Sequence, residues 1–420
     1  MNAFFWSRRK SSKEVVRTVD ALLAQLCPDQ KLYQALDEKP KRERIESLDA
    51  GEPDFEAPPP TQEDESSDDQ SGDESEKTVP EELERHWALI RAVFHGWDEH
   101  QLDRQKKMDR MAELLVRYRV MEKVLVPSVL AALTFETRKY VGHVFRALTV
   151  HNLQHFIELL AEHPEMMRRL VEGYRNNDTA LICGAMLRDC FEYECLALLF
   201  LQDMTTEFEY LFEVTTTNAN FDISADAFMN ITRLLMSHKQ ATFPCLNASF
   251  DRIFGLINSL LRSPNYVIKR QALQLLAELL LDPINFPVMQ RYIASRQNLK
   301  LVMLLLREPS QALRMDAFHV FKIFVANPNK SVEVEQLLML NREKLLSFVS
   351  DFGRSESNRD FHQEKSLLIF TLQRMADKEQ PLRLARATSA PGSAASSPTP
   401  KLTKTISMSS QVPEVCANNK

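Results

Sequence analysis

Residues 269–276 read Lys-Arg-Gln-Ala-Leu-Gln-Leu-Leu, a segment in which one small residue, Ala272, stands among large apolar ones. Four other segments share this arrangement, so that a small residue occupies positions 142, 184, 227, 272 and 317. The steps between these positions are 42, 43, 45 and 45 residues. Two proline pairs keep the same spacing of 45 residues, Pro264 with Pro309 and Pro283 with Pro328. The middle of the chain is therefore an internal repeat.

The length of this repeat predicts the fold. A period of about 40 to 47 residues is typical of armadillo and HEAT units, which are built from helices. A small residue lets neighbouring helices approach closely, and proline fits the first turn of a helix, where its missing N–H removes no hydrogen bond. Because each unit leaves one face uncovered, successive units stack into a solenoid. We predict an all-α, armadillo/HEAT-like helical-repeat solenoid with a concave binding face.

The composition agrees with this fold. The 420 residues are 44% apolar but include only 9 glycines, which suits long helices joined by short turns. No apolar run approaches the roughly 20 residues that span a bilayer, so we expect no membrane span. Six scattered cysteines favour a reducing compartment, and we predict a cytoplasmic protein. Cys183, Cys190 and Cys195 lie within apolar helical patterns and are expected to be buried.

Charge and low complexity divide the chain into four parts. Residues 49–76 hold 12 acidic residues and no Lys or Arg; without these twelve charges the net charge of −6 becomes +6. Such a weakly basic body argues against nucleic-acid binding. We predict four parts: an N-terminal helix and apolar plug at 1–36, a disordered acidic insertion at 37–80, an armadillo-like repeat domain at 81–379, and a disordered Ser/Thr/Pro-rich tail at 380–420. A capping-box pattern, Ser11 with Glu14, predicts the start of the first helix.

Five hydroxyl side chains in the two low-complexity segments are candidate phosphorylation sites. Ser66 and Ser71 each precede an acidic residue by three positions, which is the pattern that acidophilic kinases read. Ser389 follows basic and apolar residues, whereas Ser397 and Thr399 each precede a proline. A phosphate on a flexible segment can recruit or repel a partner.

The sequence contains no motif for catalysis or metal binding. His151 and His155 would share one face of a helix at i and i+4, but Asn152 stands where a zinc protease has its general-base glutamate. There is no glycine-rich phosphate loop, no G-x-S-x-G and no Cys-x-x-Cys. We therefore predict no enzyme activity, no cofactor and no metal site, and expect a binding surface instead.

Several segments resemble the calcium-binding protein 39 family of kinase scaffolds. The strongest are residues 264–282 (PNYVIKRQALQLLAELLLD), 298–303 (NLKLVM) and 317–330 (AFHVFKIFVANPNK). Residues 221–228 and 183–190 also match. The resemblance covers residues from about 80 to 380, with a fainter portion in the first 30 residues.

The resemblance implies an activity as well as an armadillo-like fold. It implies a non-catalytic scaffold in signalling or cell polarity that binds protein kinases of the Ste20-like class, or pseudokinases, through its concave face. Such a scaffold holds the mobile C-helix of the kinase in its active position, and it activates allosterically because it binds the active conformation more tightly than the inactive one. By motif, the concave contacts fall on Phe221, Tyr266 and Phe286.

The resemblance also implies a separate pocket for a Trp-Glu-Phe tail of a pseudokinase partner. This pocket falls on Arg270, Lys300 and Met303, and the two cations suit carboxylates. Two positions depart from the family, because Pro283 and Leu340 stand where it has basic residues. Both changes remove a cation from the expected binding surface and leave the identity of the partner open.

The residues leave other interpretations open. The main alternative is a generic armadillo-type cargo or peptide adaptor, such as a nuclear import receptor, which binds basic peptides along a ladder of concave Trp and Asn. The three tryptophans here, at positions 6, 87 and 97, all precede the repeats, which counts against it. Among the residues of the two predicted sites, Tyr266 and Met303 could instead be core residues, and the cations could be a solvated face.

Overall fold

The computed structural model describes residues 11–37, 78–95, 101–353 and 358–377. Throughout these ranges the chain is helical and has no extended strand, which confirms the predicted all-α helical-repeat fold. The chain divides into two compact units, one up to Leu337 and one from Leu338 onward.

In the described part of the chain, six helices precede the repeated part: α1 Ser12–Leu26, α2 Gln30–Asp37, α3 Val79–His95, α4 Gln101–Arg117, α5 Val120–Val124 and α6 Pro127–Ala132. The predicted capping box begins α1, since the Ser11 hydroxyl accepts from the Glu14 amide and the Glu14 carboxylate accepts from the Ser11 amide, at 3.2 and 3.0 Å. The apolar face of α1 packs against α3, α4, α5 and α6. The first helix of the sequence is therefore part of the core of the first unit.

A buried ion pair joins α1 and α2 to α5. The Lys123 side chain is fully buried, and its ammonium lies 2.6 Å from Asp20 Oδ1 and 4.9 Å from the centroid of the Tyr33 ring. The Tyr33 hydroxyl donates to Asp20 Oδ1 at 2.8 Å. Because a buried charge is costly without a partner, these contacts favour one placement of the N-terminal helices.

The repeated part begins at α7 Phe135–Val150 and continues as four triplets of helices. They are α8 Phe156–Glu162, α9 Glu165–Glu172 and α10 Asn177–Phe191; α11 Glu194–Asp203, α12 Thr205–Thr217 and α13 Phe221–Met236; α14 Lys239–Ala248, α15 Phe250–Leu261 and α16 Tyr266–Leu281; α17 Phe286–Ile293, α18 Arg296–Leu305 and α19 Gln311–Ala326. We call α7, α10, α13, α16 and α19 the third-helix row. Each member carries one of the five periodic small residues.

The small residues lie where neighbouring helices approach one another. A Cβ on Gly142 would overlap Ile182 of α10, and a Cβ on Gly184 would overlap the carboxylate of Asp226 in α13. The corresponding residues of α13, α16 and α19 are alanines with no exposed surface, Ala227, Ala272 and Ala317. The sequence prediction that small residues permit close helix packing is confirmed.

The periodic prolines do not all lie where the sequence predicted. Pro264 and Pro309 each come just before an N-cap residue, Asn265 or Ser310, rather than in the first helical turn. They therefore end the connection that leads into the helix, and the N-cap side chain satisfies the first free amides. Pro283 does open a helical turn, the short 3-10 helix Pro283–Asn285. Pro328 lies in the turn after α19.

The last helices are α20 Val332–Leu340, α21 Arg342–Asp351 and α22 Arg359–Asp377, and the boundary between the two units falls within α20. In the second unit α21 packs against α22. The Lys365 ammonium donates to the carbonyls of Ser350 and Phe352, at 2.9 and 2.7 Å. A cation of α22 thus satisfies free carbonyls at the C-terminus of α21.

Candidate partner-binding surface

Each helix of the third-helix row begins with the same kind of cap. An N-cap side chain accepts a hydrogen bond from a free amide of the first turn, and the five caps are Thr134, Asn176, Asn220, Asn265 and Ser310. Short polar side chains are favoured here because they satisfy donors that have no partner within the helix. These caps determine where each helix starts, and therefore which residue occupies the first position of the helix.

Phe221 and Tyr266 are both the first residue of their helix. Their side chains are 58% and 43% exposed, so the interpretation of Tyr266 as a core residue is wrong. Between them, from α13 to α16, lies a cavity of about 390 Å³ that is lined by Phe221, Ser224, Arg262, Asn265 and Ile268, among others. The structure therefore brings these two predicted contact residues to the same end of adjacent members of the row.

Phe286 lies elsewhere. It is 53% exposed and begins α17, just beyond the C-terminal end of α16, whereas Tyr266 is the first residue of α16. A helix of 16 residues is about 24 Å long, so Phe286 and Tyr266 lie at opposite ends of a full helix. The three predicted concave contacts do not form one cluster.

The turn before Phe286 is built by Asp282. Its carboxylate accepts from the Ile284 amide at 3.0 Å and lies 2.7 Å from the Lys239 ammonium. The hydrogen bond from Lys239, followed by that from the Ile284 amide, lowers the pKa of Asp282. Pro283, at the position where the resemblance predicts a cation, is exposed on this turn.

The predicted tail pocket draws on two helices. Lys300 and Met303 lie one turn apart on α18, where Lys300 is exposed and Met303 is half-buried, so Met303 is not a core residue. Arg270 lies on α16, and its Nε donates to Asp316 Oδ2 at 3.0 Å. This hydrogen bond and the charge of Asp316 raise the pKa of the guanidinium.

One further helix, α19, contacts both helices of this predicted pocket. It packs against both α16 and α18, and it carries Asp316, the partner of Arg270. A carboxylate of a bound tail would therefore compete with Asp316 for Arg270, whereas Lys300 has no such partner among the described residues. Leu304, which the sequence reasoning missed, is 61% exposed next to Met303. Its spacing of four residues from Lys300 on one helix was the available signal.

A second cavity of about 560 Å³ lies across α7, α10 and α13, with Met229 and Met236 in its lining. Ion pairs between neighbouring helices surround it: Arg146 with Asp189 at 2.7 Å, Arg188 with Asp226 at 2.6 Å, and Arg233 with Glu192. Burial raises the pKa of Asp189, and the two arginines beside it oppose this rise. No single helix contains both partners of any of these pairs, so the sequence did not show them.

Below this cavity, a buried polar cluster ties α10 to α13. The Tyr174 hydroxyl donates to Asp226 Oδ2, and Asn230 Nδ2 donates to the Tyr174 oxygen at 2.7 Å and to the Gly184 carbonyl at 3.2 Å. Burial, and then the neighbouring Asp226 charge, raise the pKa of Tyr174 well above its ordinary value. This cluster has a structural role, since the Tyr174 hydroxyl and the Asn230 amide both find acceptors within it, and only Asn230 Oδ1 among these side-chain atoms has no hydrogen bond within the described residues.

The prediction that His151 and His155 share a helix face is wrong. Helix α7 ends at Val150, and Asn152, Gln154 and His155 all have left-handed backbone angles, with φ of 41°, 53° and 55°. One group within the described residues has ligand atoms close enough for a metal: Glu122, His163 and Glu165. The Glu122 carboxylate already accepts a hydrogen bond from Arg119 Nε at 2.8 Å, so a metal ion would have to compete with this guanidinium for the carboxylate.

The cysteines differ from one another. Cys183 and Cys190 are buried as predicted, and burial raises the pKa of Cys183 to about 12. Cys195 is exposed, which corrects the prediction that it is buried. It is the second residue of α11, where the apolar pattern of the neighbouring sequence did not reveal which side faces the solvent.

Some predictions lie outside the described residues. They are the apolar plug before Ser11, most of the acidic insertion and nearly all of the C-terminal tail, with the candidate sites Ser66, Ser71, Ser389, Ser397 and Thr399. Within the described residues, no single helix is long and apolar enough to cross a membrane. The helix α16 and the segment Pro283–Ile293 reach that length and composition only as a pair bent by 77°.

Comparison with known proteins agrees with this architecture. A protein of Auxenochlorella protothecoides named degreening-related gene dee76 protein is 35% identical over 69% of this chain and 90% of its own length. The Mo25-like protein of Schizosaccharomyces pombe is 38% identical over 62% of this chain and 77% of its own. The human calcium-binding protein 39-like protein is 39% identical over 57% of this chain and 72% of its own. A family model described as Mo25-like matches residues 4–376, and the chain therefore belongs to the Mo25-like family, which confirms the resemblance found in the sequence.

Proposed function

We propose that this chain is a non-catalytic scaffold that binds a protein kinase or pseudokinase of the Ste20-like class and activates it allosterically. The observation that carries the proposal is the pair Phe221 and Tyr266, two aromatic side chains that are exposed at the same position of adjacent helices in the row. Aromatic side chains are enriched among the residues that dominate protein interfaces. Membership of the Mo25-like family supports a kinase-associated scaffold.

Activation requires a difference in affinity. To raise the active fraction of a kinase tenfold, the scaffold must bind the active conformation about 1.4 kcal/mol more tightly than the inactive one. One well-packed aromatic anchor at the interface supplies an effect of that size. Phe286, at the far end of α16, would act as a second contact if the partner spans the length of the helix.

The generic cargo adaptor is the weaker alternative. Its tryptophan ladder requires exposed Trp on the row, but none of the five helices contains a tryptophan, and Trp87 of α3 is fully buried. We further propose a cytoplasmic location, in keeping with a kinase partner and with cysteines that are free thiols throughout the described residues.

The test uses a panel of purified Ste20-like kinase domains. We expect the chain to bind one or more of them and to increase peptide phosphorylation in a saturable way, and the double change Phe221→Ala/Tyr266→Ala to abolish the increase. Val150→Ala is the matched control, because Val150 is 55% exposed at the opposite end of a row helix. Activation that persists in the double variant would contradict the proposed surface, and the absence of binding to any kinase domain would contradict the proposed function.

We also propose that Arg270, Lys300 and Met303, together with Leu304, bind an aromatic-acidic tail of Trp-Glu-Phe type. Met303→Ala should weaken the binding of such a peptide by about tenfold, as expected for loss of one buried anchor. Lys300→Ala should weaken it at low ionic strength and less so at high ionic strength, because Lys300 is exposed. Fluorescence anisotropy measures both, and equal binding by the wild type and Met303→Ala would refute the assignment.

A further inference from the structure

The starts of the third-helix row lie in one register, which we call the N-terminal edge. It consists of an N-cap residue and the residue after it in each helix: Thr134–Phe135, Asn176–Asn177, Asn220–Phe221, Asn265–Tyr266 and Ser310–Gln311. Phe135 therefore occupies in α7 the position that Phe221 and Tyr266 occupy in α13 and α16. It was not among the residues that the sequence or the resemblance identified.

Phe135 is 66% exposed, more than either of the other two aromatic residues. Its position is well fixed, since the Thr134 hydroxyl donates to Glu84 of α3 at 2.5 Å and accepts from the Thr137 amide at 3.1 Å. The Lys139 ammonium lies 5.3 Å from the centroid of the Phe135 ring. An aromatic ring is thus held at the surface by a capped helix that already has its own packing.

Two cavities lie along the N-terminal edge between α10 and α16. One, of about 360 Å³, is lined by Asn177 and Asn220, and the other is the cavity of about 390 Å³ already described, which is lined by Phe221 and Asn265. The helix α10 packs against both α7 and α13, and packed helices lie about 10 Å apart, so Phe135 and Phe221 are about 20 Å apart along the row. An interface of ordinary size covers about 800 Å² on each partner, which is wide enough to include both residues.

Three arginines give this edge its charge. Arg175, Arg262 and Arg307 each come one to three residues before an N-cap of the row, and all three are exposed. None forms an ion pair among the residues that the structure describes; Arg175 lies over the Tyr210 ring at 5.0 Å, and Arg262 donates to the Asn258 carbonyl at 3.1 Å. The carboxylates Glu136, Asp178 and Asp222 lie in first turns, where the partial positive charge of the helix end offsets them, and Glu136 also pairs with Lys139 at 3.0 Å.

We propose that Phe135 is a partner-binding residue and that the N-terminal edge, from Phe135 to Tyr266, binds a segment of the kinase partner that carries apolar side chains and carboxylates. This inference rests on the proposed function, because it extends the same interface by two helices. The exposed aromatic residues provide sites for the apolar side chains, and Arg175 and Arg262, which lie within this stretch, provide charges for the carboxylates.

The experiment compares Phe135→Ala with Val150→Ala, since both residues are exposed and lie at opposite ends of the same helix. Calorimetric titration with a purified Ste20-like kinase domain should show about tenfold weaker binding for Phe135→Ala and no change for Val150→Ala. Circular dichroism should show the same helical content in both variants. Tyr266→Ala serves as the reference, because Tyr266 belongs to the surface already proposed for the kinase.

Two negative outcomes are distinguishable. If Tyr266→Ala weakens binding but Phe135→Ala behaves as Val150→Ala does, the inference is wrong while the proposed function stands. If the wild type binds no kinase domain in the panel, the proposed function fails and the inference fails with it. The acidic character of the bound segment has its own test: Arg175→Gln/Arg262→Gln should weaken binding several-fold at 50 mM salt and little at 500 mM. A loss that is independent of salt would contradict a carboxylate-bearing segment.

Discussion

The replacement of Gly184 by alanine should destabilise the third-helix row, although it adds only one methyl group. A Cβ at this position would overlap both the Asp226 carboxylate and the Tyr174 hydroxyl, which form the buried polar cluster between α10 and α13. Those atoms cannot move aside freely, because Asp226 also pairs with Arg188 and the Tyr174 oxygen accepts from Asn230.

The magnitude follows from three opposing contributions. Alanine gains about 1 kcal/mol of helix propensity over glycine. Forcing a methyl group into a packed site costs about 1 to 3 kcal/mol, and disrupting a buried hydrogen bond to a charged group costs about 1.5 to 3 kcal/mol. The expected net loss in the free energy of unfolding is therefore about 1.5 to 5 kcal/mol.

Gly255 provides the control for this prediction. It lies inside α15, is exposed, and would have nothing within 4 Å of an added Cβ. Gly255→Ala should stabilise the protein by about 0.5 to 1 kcal/mol, so the two identical substitutions should have opposite signs.

Urea denaturation followed by circular dichroism measures both changes. Because repeat proteins can unfold in parts, hydrogen exchange of α10 and α13 should accompany it and should be faster in Gly184→Ala. If Gly184→Ala were as stable as Gly255→Ala, with unchanged exchange in α10 and α13, the close approach of these helices would not be the reason for the small residue.

Three further predictions concern other parts of the fold. Asp20→Ala should lower the local stability of α1 and α2 by about 3 kcal/mol, because it removes a carboxylate partner of the buried Lys123, and hydrogen exchange in these helices should become faster. The double variant Asp20→Ala/Lys123→Met should recover most of this stability. If the single and the double variant exchanged equally fast, the proposed role of the ion pair would be contradicted. At pH 8, iodoacetamide should modify the exposed Cys195 and leave Cys183 unmodified, because Cys183 is buried and its pKa is raised to about 12. Mass spectrometry identifies the modified residues. Rapid modification of Cys183 in the folded protein would contradict this prediction and show that α10 opens readily. Asn265→Ala should lower the free energy of unfolding by about 1 kcal/mol and make hydrogen exchange faster at the start of α16, because Asn265 Oδ1 accepts hydrogen bonds from the amides of Val267 and Ile268. Asn265→Asp is the control, since its carboxylate should preserve the cap.

The sequence by itself determined the class of fold and the length of the repeat. The five small residues predicted where helices of neighbouring repeats approach, and Gly142 and Gly184 lie at such contacts. The capping box at Ser11 and Glu14 predicted the start of α1 to the residue. These features could be read because they depend on residues close together in the chain, or on a period that recurs often enough to be recognised.

The surface, in contrast, was decided by contacts between distant segments. Tyr266 and Tyr292 are both tyrosines within apolar helices, yet Tyr266 is 43% exposed and Tyr292 is fully buried, because only the second faces the rings of Phe254 and Phe324. Arg270 was predicted as a ligand for a partner carboxylate, but the packing of α19 supplies Asp316 from 46 positions further along the chain.

Local reading also failed where the backbone turns. His151 and His155 have helical spacing in the sequence, but they do not lie on one helix, because residues with left-handed backbone angles interrupt the chain there. No local sequence pattern predicted this interruption. The register that brings Phe135 into line with Phe221 and Tyr266 likewise depends on where each helix begins relative to its neighbours. Local propensity determines that a helix forms and where its caps lie, whereas the packing of one helix on the next determines which of its side chains remain exposed to a partner.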